Sequence, residues 1–154
     1  MYGQCTLLQL ANGNETYLQT DLGYQLSIAS YWANTSKILP NCIIKPSSAQ
    51  LVSNVVTGLV NNTCSFAVRS GGHNPFPDNN ISPGVTIDLG NLNSTILSDS
   101  SSGSGKVAQI GPGARWGSVY DTLSALNVGV PGGRASNVGV GGLTLGGKCW
   151  TMIL

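Results

Sequence analysis

The sequence predicts an α+β fold in two subdomains, and three observations carry that expectation. Two apolar runs, CIIKP (42–46) and CSFAVRS (64–70), bracket a stretch whose apolar residues recur at helical spacing. A third run, VTIDLG (85–90), is followed by a segment broken by Ser and Gly (94–113) that reads as a hairpin. A second amphipathic stretch then leads into a run dense in glycine (128–147). Strands and helices grouped in unequal blocks, without strict alternation, point to α+β. A chain of 154 residues suffices for one domain with a real core and is too short for two comfortable ones.

Taken in order, residues 1–37 are polar and read as an irregular N-terminal segment, relieved only by a short amphipathic piece near 24–32. Pro46 stops the first strand. Ser47 is expected to open a helix, with Gln50 as its capping-box partner. Leu51, Val52, Val55, Val56, Leu59 and Val60 form its buried stripe, and Asn61 and Asn62 end it. The strand over 64–70 completes a strand–helix–strand unit whose two strands pair in parallel. Arg115 to Leu126 form a second helix with Val119, Leu123 and Leu126 inward. The glycine run is expected to be neither a packed helix nor a regular strand. Its glycines alternate with Val, Leu and Thr, which suggests burial and favours a surface where backbone amides meet a ligand over flexible filler.

Composition sets limits on function. Only 8% of residues are charged and the net charge is +1, so no electrostatic footprint for nucleic acid or an anionic membrane is visible. No apolar run approaches the roughly 20 residues of a membrane span, and no metal site is expected. Asn-x-Ser/Thr triplets begin at Asn14, Asn34, Asn61, Asn80 and Asn93. With four cysteines they favour a secreted glycoprotein. The opening MYGQCTLLQL has neither a basic nor a long apolar region, so a leader is expected to be missing from this version, the alternative being an intracellular protein. Cys42 and Cys64 each begin one of two strands expected to be neighbours, which makes a bridge between them reasonable. Cys5 competes for either, and Cys149 is expected to stay unpaired.

Two phosphate-binding patterns fail on inspection. From Gly139 and Gly141 the third position of G-x-G-x-x-G is Thr144, and no helix is expected to follow. Gly142 to Cys149 nearly fits a phosphate loop but ends in cysteine. The stretch RSGGHN (69–74) is more specific. It holds the single histidine of the chain, His73, at the tip of a glycine turn after a strand. Successive N–H groups of Arg69, Ser70, Gly71 and Gly72 can converge there as an anion-binding nest. The bland alternative is that His73 is an ordinary polar loop residue.

Five motifs in order, CIIKPSSAQLVSNVV, FAVRSGGHN, GVTIDLGNLN, IGPGARWGSVYDTL and GGRASNVGVGGLTLGG, resemble the PCMH-type FAD-binding domain of the vanillyl-alcohol oxidase superfamily. The resemblance is closest to the secreted berberine-bridge-enzyme-like oxidases. It implies a partial FAD-binding domain over 38–147, incomplete at its C-terminal side. It also implies that His73 bonds covalently to the flavin 8α-methyl, and that Ser70 to Asn74 hold the FAD pyrophosphate beside Arg69. Gly133, Val138, Gly139, Gly141, Gly142, Thr144 and Gly146 are implied to complete the cofactor cradle. Where some relatives carry a second, cysteinyl link, this chain has Ala135, which implies a single link. The implied partner is a small-molecule substrate, an alcohol, a sugar lactol or an amine, with O2 taking the electrons. The catalytic base and substrate pocket are implied to lie beyond the matching motifs.

At Lys148 the pattern breaks into KCWTMIL (148–154), an aberrant tail. Gly147-Lys148-Cys149 can be encoded as GGT AAG TGT, which contains an intron start, so the tail is expected to be intron read-through and the chain an inactive fragment that holds FAD weakly if at all. The rival expectation is a non-catalytic fragment or passive secreted glycoprotein without flavin.

Overall fold

The computed structural model describes residues 5, 8, 13–101 and 105–147. The turn expected inside the hairpin, the 148–154 tail and Cys149 lie outside them. The elements are β1 (Thr16–Leu18), α1 (Leu22–Ala29), β2 (Cys42–Ile44), α2 (Ala49–Asn61), β3 (Phe66–Arg69), β4 (Val85–Asp88), β5 (Thr95–Asp99), β6 (Lys106–Ile110), α3 (Trp116–Ser124) and α4 (Val140–Leu145). They form two packed units, as the sequence predicts. One core gathers Cys5, Cys42, Ile44, Val55, Leu59, Cys64, Val85 and Ile87 under a four-stranded sheet. The other gathers Ala114, Trp116, Val119, Leu123 and Val140 beside the β5–β6 hairpin.

The helices follow the periodicity with shifted ends. Ser48, not Ser47, caps α2: its extended backbone sets the hydroxyl to accept the Leu51 N–H at 3.2 Å. The Gln50 amide donates instead to Asn54 Oδ1 at 3.0 Å. Val55 and Leu59 are buried, but Val60 is exposed, a turn-fraction past the inward face. Helix α3 stops at Ser124 because Asn127 takes a left-handed backbone (φ 54°), so Leu126 lies outside the helix and is exposed. Residues 13–37 are more ordered than the sequence suggests. Strand β1 pairs antiparallel with β2, and α1 packs inward through Tyr24, whose hydroxyl donates to Pro40 O at 2.7 Å, and through Ser27.

The sheet order is β1-β2-β4-β3, with β4 parallel to both neighbours. All four residues of β4 are buried, which suits a central strand, whereas β3 is half exposed at the edge. The expected pairing of β2 with β3 is therefore corrected: β4 stands between them. Two ladder spacings, about 9–10 Å, separate their axes, beyond the roughly 7 Å a disulfide tolerates. Cys42 bonds Cys5 instead, with Cα atoms 5.9 Å apart, and Cys64 is a buried free thiol. That bridge spans 37 positions of sequence, so opening it by reduction or Cys5→Ala should cost about 3–4 kcal/mol. Urea midpoints with and without reductant measure the loss, and unchanged midpoints would rule it out.

The glycine run is also corrected in part. A short helix, α4, does follow Gly139, because tertiary contacts override its poor propensity. Val140 enters the second core, and the Thr144 hydroxyl donates back to Val140 O at 2.8 Å. Of the five Asn-x-Ser/Thr sites, Asn14, Asn34, Asn61 and Asn93 are exposed. Asn80 is buried, and its Nδ2 donates to Ser36 O and Ile38 O at 3.0 and 2.9 Å, so it is closed to a glycan.

Candidate cofactor site

The end of β3 is fixed from beneath by charge. Asp88 closes β4 and is buried, so its carboxylate needs partners. It accepts from Ser27 Oγ at 2.7 Å and from the Gly90 N–H at 3.0 Å. Arg69 Nη1 lies 3.5 Å and Lys45 Nζ 3.7 Å from the same carboxylate. The Arg69 guanidinium also donates to Ser27 O (2.6 Å) and Ser30 Oγ (2.7 Å), and it lies 4.0 Å from the centre of the Tyr31 ring. Burial pushes the Tyr31 phenol up to about 12, against the pull of the adjacent Arg69 cation. Arg69 thus sits beneath the glycine turn and ties it to α1.

Replacing Arg69 by Met should lower stability by roughly 3 kcal/mol, because the buried carboxylate keeps its bonds from Ser27 and Gly90 but only the more distant Lys45 as a cation. Arg69→Lys should not restore it, lacking the planar fork, while Asp88→Asn in the Arg69→Met background should recover part. Urea denaturation reads all three, and wild-type stability in the single Met variant would contradict the account.

Above Arg69 the chain turns through Gly72 in the left-handed region, φ 66°. A Cβ there would also stand 2.8 Å from Arg69 Nε. Gly71 abuts Gly139 backbone to backbone: a Cβ on Gly71 would lie 2.4 Å from Gly139 N, and one on Gly139 would lie 2.3 Å from Gly71 N. The Pro112 carbonyl locks the two loops further, accepting from Ser70 Oγ at 2.5 Å and from the Gly141 N–H at 3.3 Å. The N–H groups of Gly71, Gly72, His73 and Gly139 find no acceptor among the described residues. Unpaired amides converging around a left-handed glycine are the makings of an anion site.

His73 is half-buried. Its Nε2 is buried with no hydrogen-bond partner among the described residues, and its ring stacks on Trp32 with centroids 5.1 Å apart and planes 20° from parallel. Asn74 turns its side chain to its own loop, donating to Asn79 Oδ1 at 2.7 Å and accepting the Phe76 N–H at 3.2 Å.

The structure therefore brings Ser70, Gly71, Gly72, Gly139 and Gly141 together, with His73 and Asn74 continuing the same loop. Val138 adjoins them and accepts the Trp116 N–H at 3.0 Å. Gly142 faces open space, and Thr144 and Gly146 are exposed farther along α4. Gly133 lies elsewhere, flat on the Trp116 indole. Ala135 is exposed.

Beside the joined loops a cleft of about 540 Å³ opens between the two units. Lys45, Arg69, Ser70 and Asp88 line it from one side, Arg115 and Asp121 from the other. Three cations against two carboxylates suit an anionic guest. Burial, and secondarily Arg69, lowers the Arg115 pKa below the usual guanidinium value, and its Nη1 donates to Asn137 O. Sequence reasoning did not single out Lys45, Asp88, Arg115 or Trp32 as site residues. For Asp88 a signal was available: a lone acid closing the run Val85–Ile87.

Comparison with known proteins agrees with this geometry. Residues 40–151 match the family described as FAD binding domain. The chain is 42% identical over 147 residues to the FAD-dependent monooxygenase sdcF of Emericella nidulans, a match that covers 94% of this chain and 30% of that protein. Among solved structures, 6-hydroxy-D-nicotine oxidase from Arthrobacter nicotinovorans superposes with a TM-score of 0.69 at 28% identity, over 82% of this chain and 27% of that one. The BBE-like 1 protein of Physcomitrella patens shares the fold, with a TM-score of 0.68 at 22% identity over 92% of this chain and 30% of that one. The chain spans about a third of the length of these relatives. A family match over most of the chain, on a fold shared with berberine-bridge-like neighbours, places it: this chain belongs to the FAD-binding domain family of the vanillyl-alcohol oxidase superfamily.

Proposed function

We propose that the chain is the cofactor-binding part of a flavin-dependent oxidase whose FAD is held by its pyrophosphate on the joined glycine loops and tethered through His73. The observation that carries the proposal is the buried Nε2 of His73, which has no hydrogen-bond partner among the described residues, beside backbone amides that likewise have no acceptor among them. A dianionic diphosphate would satisfy amides that have no acceptor among the described residues, and Gly71 and Gly139 let the two loops meet to form its cradle. FAD, when bound, accepts a hydride from an organic substrate and passes the electrons on. The protein's part is to bind and orient: Arg69 and Asp88 hold the turn, Ser70 and Pro112 lock the loops, and His73 fixes the ring system.

Use of O2 is supported by the relatives named above, a monooxygenase and an oxidase. The substrate is a small organic molecule, and its pocket and catalytic base are assigned to the part of the relatives that this chain does not match. Secretion with glycans is supported by the Cys5–Cys42 bridge and by the four exposed acceptor asparagines. To test the proposal, the chain is loaded with FAD, precipitated in acid and examined for colour. Yellow precipitate is the expected result. Flavin that washes away entirely overturns the tether, and no flavin binding before precipitation overturns the cofactor site itself.

A further inference from the structure

A strap from the N-terminal unit crosses the histidine loop. The Trp32 N–H donates to Gly72 O at 3.1 Å, one residue before the imidazole. Thr35 Oγ1 donates to Pro75 O at 2.5 Å, and Ser36 Oγ bonds Asn74 O and Phe76 O at 3.0 and 3.2 Å. The strap thus grips the backbone on both sides of His73. Trp32 is the member of the strap that meets the imidazole ring itself, yet it is 60% exposed. A large indole left that open gives little core stabilisation, and the loop is already held by the Trp32 N–H and the Thr35 and Ser36 hydroxyls. Among the described residues its ring contact is the near-parallel stack on His73.

We infer that Trp32 is a positioning residue for His73: the indole sets the plane of the imidazole, so that Nε2 is offered to the cofactor in one orientation. This rests on the reading of His73 as the flavin tether, an attachment in which one C–H bond of the flavin 8α-methyl would give way to the new C–N bond, the proton leaving to solvent and the two electrons passing through the flavin to O2. An imidazole on a glycine turn has two side-chain rotors, and freezing them before the cofactor arrives removes an orientational cost from the attachment. Arg69 and Asp88 fix where the loop stands, while Trp32 fixes how the ring on it is turned.

The single histidine makes the test clean, since the imidazole C–H signals in the NMR spectrum of the whole chain belong to one residue. In the wild type they should lie upfield under the indole ring current and show cross-relaxation with Trp32. Trp32→Phe should keep most of both effects, and Trp32→Ala should lose them with the remaining amide spectrum unchanged. In the same proteins saturated with FAD, acid-stable flavin should accumulate about tenfold more slowly in Trp32→Ala and near the wild-type rate in Trp32→Phe. Imidazole signals unmoved in Trp32→Ala would overturn the inference, as would moved signals with an unchanged attachment rate. A His73→Ala control separates the two readings. Acid-stable flavin in that control overturns the tether, whereas a clean control with normal attachment in Trp32→Ala overturns Trp32 alone.

Discussion

Alanine at His73 is expected to remove all acid-stable flavin while leaving the fold and the diphosphate cradle in place. The imidazole is the side chain on the loop with a buried nitrogen that has no partner among the described residues. The amides of Gly71, Gly72 and Gly139 do not depend on it. The variant should therefore still bind FAD reversibly, with flavin absorbance lost on acid precipitation or gel filtration under denaturant. The half-buried ring gives up one stacking contact with Trp32, so stability should fall by no more than about 1 kcal/mol. Yellow precipitate from His73→Ala would assign the tether to another residue. Complete loss of reversible binding would show instead that the imidazole supports the cradle.

Alanine at Gly71 or Gly139 is expected to do the converse, destroying the cradle with the histidine intact. Each Cβ would fall 2.3–2.4 Å from backbone atoms of the facing loop, whereas carbon contacts settle near 3.5–4.0 Å. The loops must part by about 1 Å, and backbone on both sides leaves no flexible side chain to yield. A destabilisation of about 2 kcal/mol follows, with a loss of FAD affinity on the order of a hundredfold, as a displacement of that size spoils a converging set of donors. Calorimetric titration with FAD measures it. Gly142→Ala, with nothing within 4 Å of its Cβ, is the matched control and should bind normally. Equal affinities in all three would show that the touching loops are not where FAD binds.

How far the sequence carried can be read from particular elements. Helices α2 and α3 and the hairpin were legible because their apolar spacing survives in the burial of Val55, Leu59, Val119 and Leu123. Helix α1 was not, because its apolar residues face the wrong way for such a reading. Leu22 and Leu26 are exposed, and the buried contacts come from Tyr24 and Ser27. Helix α4 escaped because glycine propensity was read without the contacts that override it. Strand order is invisible to periodicity, although the continuous burial of Val85 to Asp88 marks a centre strand and the mixed pattern of Phe66 to Arg69 an edge. At the site, RSGGHN announced its loop, since glycine beside a lone histidine is unusual locally. Trp32 was silent because its meaning lies in a contact 41 positions away.

The placement of β4 between β2 and β3 has a consequence in time. The ribosome delivers β2, α2 and β3 before β4 exists, so two strands that end in one sheet emerge with a strand-wide gap between them. Neither can gain its parallel ladder until residues 85–88 arrive, and local pairing offers no shortcut. A single late strand then completes both ladders, buries Asp88 against Arg69 and raises the glycine turn in the same event. The glycine turn is therefore completed late in its unit, and until then the edges of β2 and β3 that await β4 stay open to other chains.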